Sequence, residues 1–169
     1  MEAAEAVRSE NAGGLRELAG KYLTFALGKE EYGIGILKVR EIIGLMEITA
    51  VPHTPKYIKG VINLRGRVIP VIDLRLKFSM PNEEYTERTC IIVVEVQGET
   101  TAVQVGMLVD SVSEVLNVAG PEIEPPPAFG GRTEVAFILG MAKIKGDVKI
   151  LLDADRIIGT GELAQFETI

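Results

Sequence analysis

The sequence predicts an all-β fold of two small, related antiparallel barrels, each of about five short strands. Three observations point there. The stretch 57–75, YIKGVINLRGRVIPVIDLR, reads as two short strands around a tight turn. The same pattern returns without a gap at an offset of 80 (138 − 58). Hydrophobic residues make up 47% of the chain but aromatics only 5%, with no Trp. Val, Ile and Leu must therefore fill the interior, which suits packed strands.

In the first hairpin, Val61, Ile62 and Leu64 form one arm and Val68, Ile69, Val71 and Ile72 the other. Arg65-Gly66-Arg67 turns between them. A glycine takes the positive φ such a turn needs, and arginines there stay in water. Pro70 has no N–H, so one side of its arm is expected to be a sheet edge or a bulge. In the second copy, Ile138-Leu139-Gly140-Met141 answers Ile58-Lys59-Gly60-Val61, Ile144-Lys145-Gly146 answers Leu64-Arg65-Gly66, and Leu151-Leu152-Asp153 answers Val71-Ile72-Asp73. A fainter echo sets Ile34-Gly35-Ile36-Leu37 against Val105-Gly106-Met107-Leu108, and Arg40-Glu41-Ile42-Ile43 against Ser113-Glu114-Val115-Leu116, with the spacing slipping by two between them. Two copies of one β-unit follow, expected to share an apolar interface because neither has much core of its own.

Taken in order, residues 1–18 lack apolar periodicity and are expected to form a mobile tail. Residues 21–27 alternate as a strand, 28–31 turn, and 32–36 return as a second strand. A third strand covers 39–46. Pro52, His53, Thr54 and Pro55 break regularity, and one helical turn is expected at 56–59. A short coil follows the hairpin at 73–78. The polar, turn-rich 79–88 is expected to be the crossover between the two units. Residues 89–96 form a nearly continuous apolar run, expected as a strand buried on both faces. Further strands are expected at 101–108 and 109–118. The proline-rich 121–127 reads as a stiff connector, and Gly130-Gly131 loosens the chain before the second hairpin. Asp153 caps a short helix at 154–158, with Ile157 and Ile158 facing the core. The expected organisation is a tail over 1–18, one domain of two intertwined barrels over 19–158, and a C-terminal tail over 159–169.

Composition narrows the function. The net charge of −6 argues against nucleic acid, whose phosphates need a basic face. The single cysteine, Cys90, leaves no internal disulfide and suits a reducing compartment. No run is long and apolar enough to insert directly into a bilayer, and the first ten residues are polar and acidic rather than secretory in character. A cytoplasmic protein is expected.

Chemistry is sparse. His53, the only histidine, lies between prolines without companion ligands. Cys90 opens an apolar strand and reads as a core thiol. Asp153 and Asp155 lack the glycine and distal Glu of a calcium loop. Gly33-x-Gly35 lies within a strand and lacks a third glycine. Ser111 and Ser113 have no nucleophile elbow around them. No catalytic residue, metal site or cofactor is expected, and function should lie in surfaces.

Four segments then carry a resemblance: EEYGIGILKVREI at 30–42, residues 55–60, GVINLRGRVIPVIDLRLKF at 60–78, and VGMLVDSVSEVL at 105–116. Together they resemble the CheW family of adaptors of bacterial chemotaxis arrays, over about residues 21–158. The NLRG turn followed by P-V-I-D-L-R is the most specific part. The same module occurs in the kinase CheA and in CheV, but no receiver-like or kinase-like sequence follows here, so the free-standing adaptor fits best.

The resemblance implies two SH3-like five-stranded barrels around a shared apolar core. It implies a non-catalytic scaffold in a two-component system, coupling the histidine kinase CheA, through its regulatory domain, to the cytoplasmic tip of methyl-accepting chemoreceptors. Such a protein is cytoplasmic and recruited to membrane-associated receptor arrays. Carried over by position, the receptor groove would use Val39, Glu41, Ile42, Gly60 and Arg65, with Cys90, Ile91, Val105, Gly106 and Leu108 as the opposing wall. The CheA face would use Ile43, Leu45 and Ile48. The alternatives are a generic β-barrel peptide-binding module or a CheV-like scaffold lacking its receiver domain. An enzyme with an unrecognised site is the reading from another class.

Overall fold

A computed structural model describes residues 18–81, 83–98, 100–126 and 137–158. The expected tails at 1–17 and 159–169, and the Gly130-Gly131 joint, lie outside the described residues. Among the described residues eleven strands run in chain order: β1 Gly20–Leu27, β2 Glu30–Gly35, β3 Val39–Gly44, β4 Ile58–Leu64, β5 Arg67–Asp73, β6 Cys90–Gln97, β7 Ala102–Val109, β8 Ser111–Val118, β9 Ile123–Glu124, β10 Ile138–Ile144 and β11 Asp147–Leu152. Two one-turn helices, α1 (Leu74–Lys77) and α2 (Ala154–Ile157), follow the two hairpins.

The fold is all-β, with two SH3-like barrels, each built on one sheet. Barrel one is β3-β6-β7-β5-β4, a continuous stretch of chain from β3 to β7. Barrel two is β8-β1-β2-β11-β10-β9, drawn from both ends. The first two strands of each repeat therefore pair with the remainder of the other repeat. This relocates the crossover. Residues 79–88 join β5 to β6 inside barrel one; the chain passes between barrels at the 3-10 turn Ile36–Lys38 and at Asp110. The sheets are also not purely antiparallel: β5 pairs with β7, and β11 with β2, in parallel.

The repeat is visible in the hydrogen bonds. Asp73 N–H donates to the Tyr57 carbonyl and Asp153 N–H to the Phe137 carbonyl, both at 2.8 Å. Arg65 and Gly66 have φ of 54° and 87°, Lys145 and Gly146 52° and 85°, the pair of positive φ that defines a type I′ turn. Asp73 and Asp153 both cap the helix that follows. The fainter echo shifts. Val71 faces Gly106 in one parallel ladder and Leu151 faces Gly33 in the other, so Gly33, not Gly35, is the partner of Gly106. The offset is then a constant 73 (106 − 33, 114 − 41), with no slip. A methyl at Gly33 would press on Leu151 at 3.2 Å, and one at Gly106 on Ile91 at 2.7 Å, whereas Gly35 borders open space.

Among the described residues three apolar clusters result. Ile62, Ile69, Val71, Ile91, Val93 and Leu108 fill barrel one. Tyr22, Val118, Ile123, Ala142 and Leu151 fill barrel two. The largest lies between the barrels, with Leu23, Phe25, Leu27 and Ile34 from one side against Ile92, Val94, Val96, Val105 and Met107 from the other. Strand alternation explains it: Ile91 and Val93 point into barrel one while Ile92 and Val94 point across the interface. β6 is thus buried on both faces, as its apolar run predicts. A row of rings in contact, Phe25–Tyr32–Phe78–Phe137, lines the interface with centroid spacings of 6.0, 5.8 and 4.8 Å, the outer two pairs stacked and the middle one tilted.

Two local expectations change. Residues 56–57 turn and β4 starts at Ile58, with no helix there. Pro70 sits in β5, an inner strand, but the ladder to β7 starts only at Val71, so its missing N–H falls where no partner is needed.

Candidate partner-binding surface

β3 and β4 are the two ends of barrel one's sheet, and the surface grows from how they meet. Thr49 and Val61 exchange two backbone bonds of 2.8 Å, which draws the segment after β3 onto β4. The type I′ turn then aims Arg65 outward. Asn63 Oδ1 accepts the Gly66 N–H at 2.8 Å and fixes the turn from within. The Arg65 side chain, 70% exposed, pairs with Glu41 on β3, spanning the seam where the sheet closes.

A bulge sets the direction of β3. Its register against β6 shifts between Val39 and Glu41, and bulges re-aim the side chains beyond them. Val39 packs against the interface between the barrels, Ile43 against the interior of barrel one. Arg40 faces out and pairs with Glu95; the Arg40 hydrogen bond, outweighing desolvation, holds the Glu95 carboxyl below its ordinary value. Ile42 stands 46% exposed.

Of the residues expected at the receptor groove, Arg65 and its partner Glu41 lie accessible at the seam, and Ile42 is exposed on the opposite face of β3. Val39 and Cys90 are half-buried against the shared core. Burial pushes the Cys90 thiol up despite a hydrogen bond from the Val112 backbone, which leaves it a packing residue. The others do not form a wall. Ile91 and Leu108 lie inside barrel one, and Val105 lies in the core between the barrels. Gly106 is wedged between Ile91 and Val71, and Gly60 lies against the Thr49 carbonyl. The reason is positional: β6 and β7 are inner strands covered on both faces. On the expected CheA face, Leu45 is exposed, while Ile43 and Ile48 are partly buried against barrel one's interior.

Leu37 is the residue the sequence reading passed over. It is 86% exposed, in the turn between the barrels. Beside it lies a cleft of about 290 Å³, lined by Tyr22, Ile36, Leu37, Lys38, Leu139 and Leu152 among others. The signal was an apolar side chain at a point where the strand pattern breaks.

The model of the CheW-like domain matches residues 21–162. The chain belongs to the CheW-like family. It is 39% identical over 149 residues to the chemotaxis protein CheW of Klebsiella aerogenes, covering 88% of this chain and 87% of that protein. It is 38% identical over 140 residues to the chemotaxis protein CheW of Rhizobium meliloti, covering 83% and 88%. Among solved structures, the scaffolding protein TtCheW of Thermoanaerobacter tengcongensis superposes with a TM-score of 0.75 at 35% identity, over 86% of this chain and 96% of that one. A CheW-like chain matched along nearly its full length in both sequence and fold is a chemotaxis adaptor, and the generic peptide-binding barrel is not favoured.

Proposed function

We propose that the protein couples the cytoplasmic tip of chemoreceptors to the histidine kinase CheA, by binding alone and without catalysis of its own. Its place would be the cytoplasmic side of the membrane, at receptor arrays. The observation that carries the reading is the seam of barrel one, where Arg65 pairs with Glu41, together with the exposed Ile42 on the opposite face of β3, all within the segments that match the CheW-like family. The exposed Ile42 suits the apolar stripe of an amphipathic receptor helix. Leu45, exposed just beyond β3, is the candidate contact for the kinase. Holding both partners at once raises the effective concentration of each for the other. The kinase's conformational equilibrium then shifts by the difference in contacts between its states.

The test is titration of a receptor cytoplasmic fragment and of the CheA regulatory domain against wild type and Arg65→Ala, with melting curves as control. Receptor affinity should fall by about tenfold, the scale of one charge-assisted contact. Melting temperature and CheA affinity should hold. Unchanged receptor affinity would remove Arg65 from the site; loss of both partners with a lower melting temperature would make it structural.

A further inference from the structure

Two three-way junctions tie the barrels together, and they are the same junction with the charges exchanged. In the first, α1 of barrel one supplies Arg75. Its Nε donates to Asp110 Oδ1 at 2.6 Å and its Nη2 to Oδ2. Asp110 is the single residue between β7 and β8. Its Oδ2 also accepts the N–H of Gly28 at 2.8 Å, from the β1–β2 turn of barrel two. In the second, α2 of barrel two supplies Asp155, which takes Arg75's place in the repeat (155 − 75 equals the hairpin offset of 80). Asp155 Oδ2 accepts from Lys38 Nζ at 2.7 Å, at the end of the other crossover, and Oδ1 accepts the N–H of Gln97 at 2.8 Å, at the end of β6 in barrel one. Each junction joins a helix after a hairpin, a crossover, and a hairpin end of the opposite barrel. The cation sits on the helix in one and on the crossover in the other.

The core between the barrels is apolar, and apolar contact is non-directional. Its close packing limits how far the sheets can turn against each other. Directional ion pairs at the two crossovers add a charge-dependent restraint on their angle, as charged pairs fix register across an interface. The junctions are unequal. Arg75 is forked onto its carboxylate with its side chain only 10% exposed, and it also reaches the Pro81 carbonyl at 3.3 Å and Glu83 at 3.3 Å. Among the described residues Lys38 has one salt bridge, to Asp155, and its side chain is 42% exposed. Forked, buried guanidinium pairs hold geometry more tightly than exposed ammonium pairs.

We propose that the two junctions are positioning devices that set the relative orientation of the barrels, with the Arg75 junction as the fixed pivot and the Lys38 junction as the compliant side. Lys38 directly precedes β3, which carries Glu41 and Ile42, so compliance there is felt at the surface proposed for the receptor. That last link rests on the functional reading above; the orientation claim does not.

The experiment uses the full chain in four forms: wild type, Lys38→Asp, Asp155→Lys, and the double variant with the charges exchanged. Residual dipolar couplings of backbone amides in β3–β7 and in β1, β2 and β8–β11 report the inter-barrel angle. Melting curves check the fold. In wild type both sets should fit one rigid body. In each single variant each barrel should still fit alone, but the two should no longer share one orientation, and the double variant should return part of the way, since it lacks the acceptor for the Gln97 N–H. Receptor-fragment affinity should fall by up to about fivefold in the single variants, the scale of one half-exposed ion pair, and recover in part in the double. Single variants that fit the wild-type orientation, or a double that lies no nearer to it than the singles while melting normally, would overturn the positioning role. A changed angle with unchanged receptor affinity would overturn its link to the receptor surface. Failure of wild type itself to bind the fragment would instead overturn the functional reading and leave the couplings to decide the rest.

Discussion

The hairpins β4–β5 and β10–β11 share their turn, their register shift and their capping aspartate, and differ in what they bury. Both turn through two positive-φ residues. Both shift register at a glycine, Gly60 or Gly140, and both end on a capping aspartate. Between those points the side chains part. Ile69 is buried in barrel one; its counterpart Lys149 pairs with Glu31 across the ladder, and Gln104 stands where Glu31 would be. Pro70 delays barrel one's parallel ladder to Val71, whereas Ile150 lets barrel two's ladder run back to Lys149. Duplication has kept the glycines and the capping aspartates that shape the turn, the register shift and the helix start, while Ile69 and Pro70 give way to Lys149 and Ile150. The comparison teaches which positions are fixed by stereochemistry and which by their neighbours.

The sharpest way to break it is at the glycines. Gly60 has a φ of 143°, and a methyl there would overlap the Thr49 carbonyl. Gly60→Ala should cost about 3 kcal/mol or more, from strain and overlap together. At Gly140 the methyl would stand 2.8 Å from the Glu124 carbonyl, without a positive φ, so Gly140→Ala should lose about half as much. Urea denaturation of both variants decides it, and equal losses would mean the hairpins bear strain alike.

The next effect concerns the exchanged interiors. Ile69→Lys places an ammonium in barrel one with Gln104, not a carboxylate, beside it, and should cost about 3 kcal/mol. The converse, Lys149→Ile with Glu31→Gln, removes a half-buried ion pair for an apolar contact and should stay within about 1 kcal/mol of wild type. A large loss in the double variant would show that the pair specifies barrel two rather than occupying it.

The smallest effect is at the turns. Asn is favoured over Arg or Lys at the first position of a type I′ turn, so Lys145→Asn should gain about 0.5 kcal/mol. Arg65→Asn should gain less, because it gives up the contact with Glu41. Paired melting curves measure the difference, and a larger gain at Arg65 would mean that its ion pair strains the seam.

The hairpins, their turns and the second helix cap were legible in the sequence because each rests on a few residues of restricted geometry: Gly66, Gly146 and Asp153; at the matching cap, Asp73, the sequence reads only as a short coil. The two-sided burial of β6 was legible in its unbroken apolar run. Which strands pair was not. Alternation says which face of β1 is apolar, but not that β8 and β2 flank it, since pairing is settled between residues far apart in the chain. The misplacement of Gly35 against Gly106 has the same origin: local letters matched, while the contact that fixes the position, Gly33 on Leu151, joins opposite ends of the chain. At the candidate surface, the exposure of Arg65 was legible because a turn faces solvent. The enclosure of Ile91, Val105 and Leu108 was not, because it follows from β6 and β7 being inner strands closed on both faces.

The arrangement of barrel one as an unbroken run between the two parts of barrel two bears on synthesis. Translation proceeds from the N-terminus, and a unit folds when its last strand has emerged from the ribosome. Barrel one is complete when Val109 emerges. β1 and β2, though made first, must wait for β8 and β11. The earliest strands are therefore the last to be sealed, and through that interval their apolar face is covered only by a barrel one that has already closed. A truncated chain ending before β10 leaves β2 with an open edge, which unfinished chains tend to share with one another.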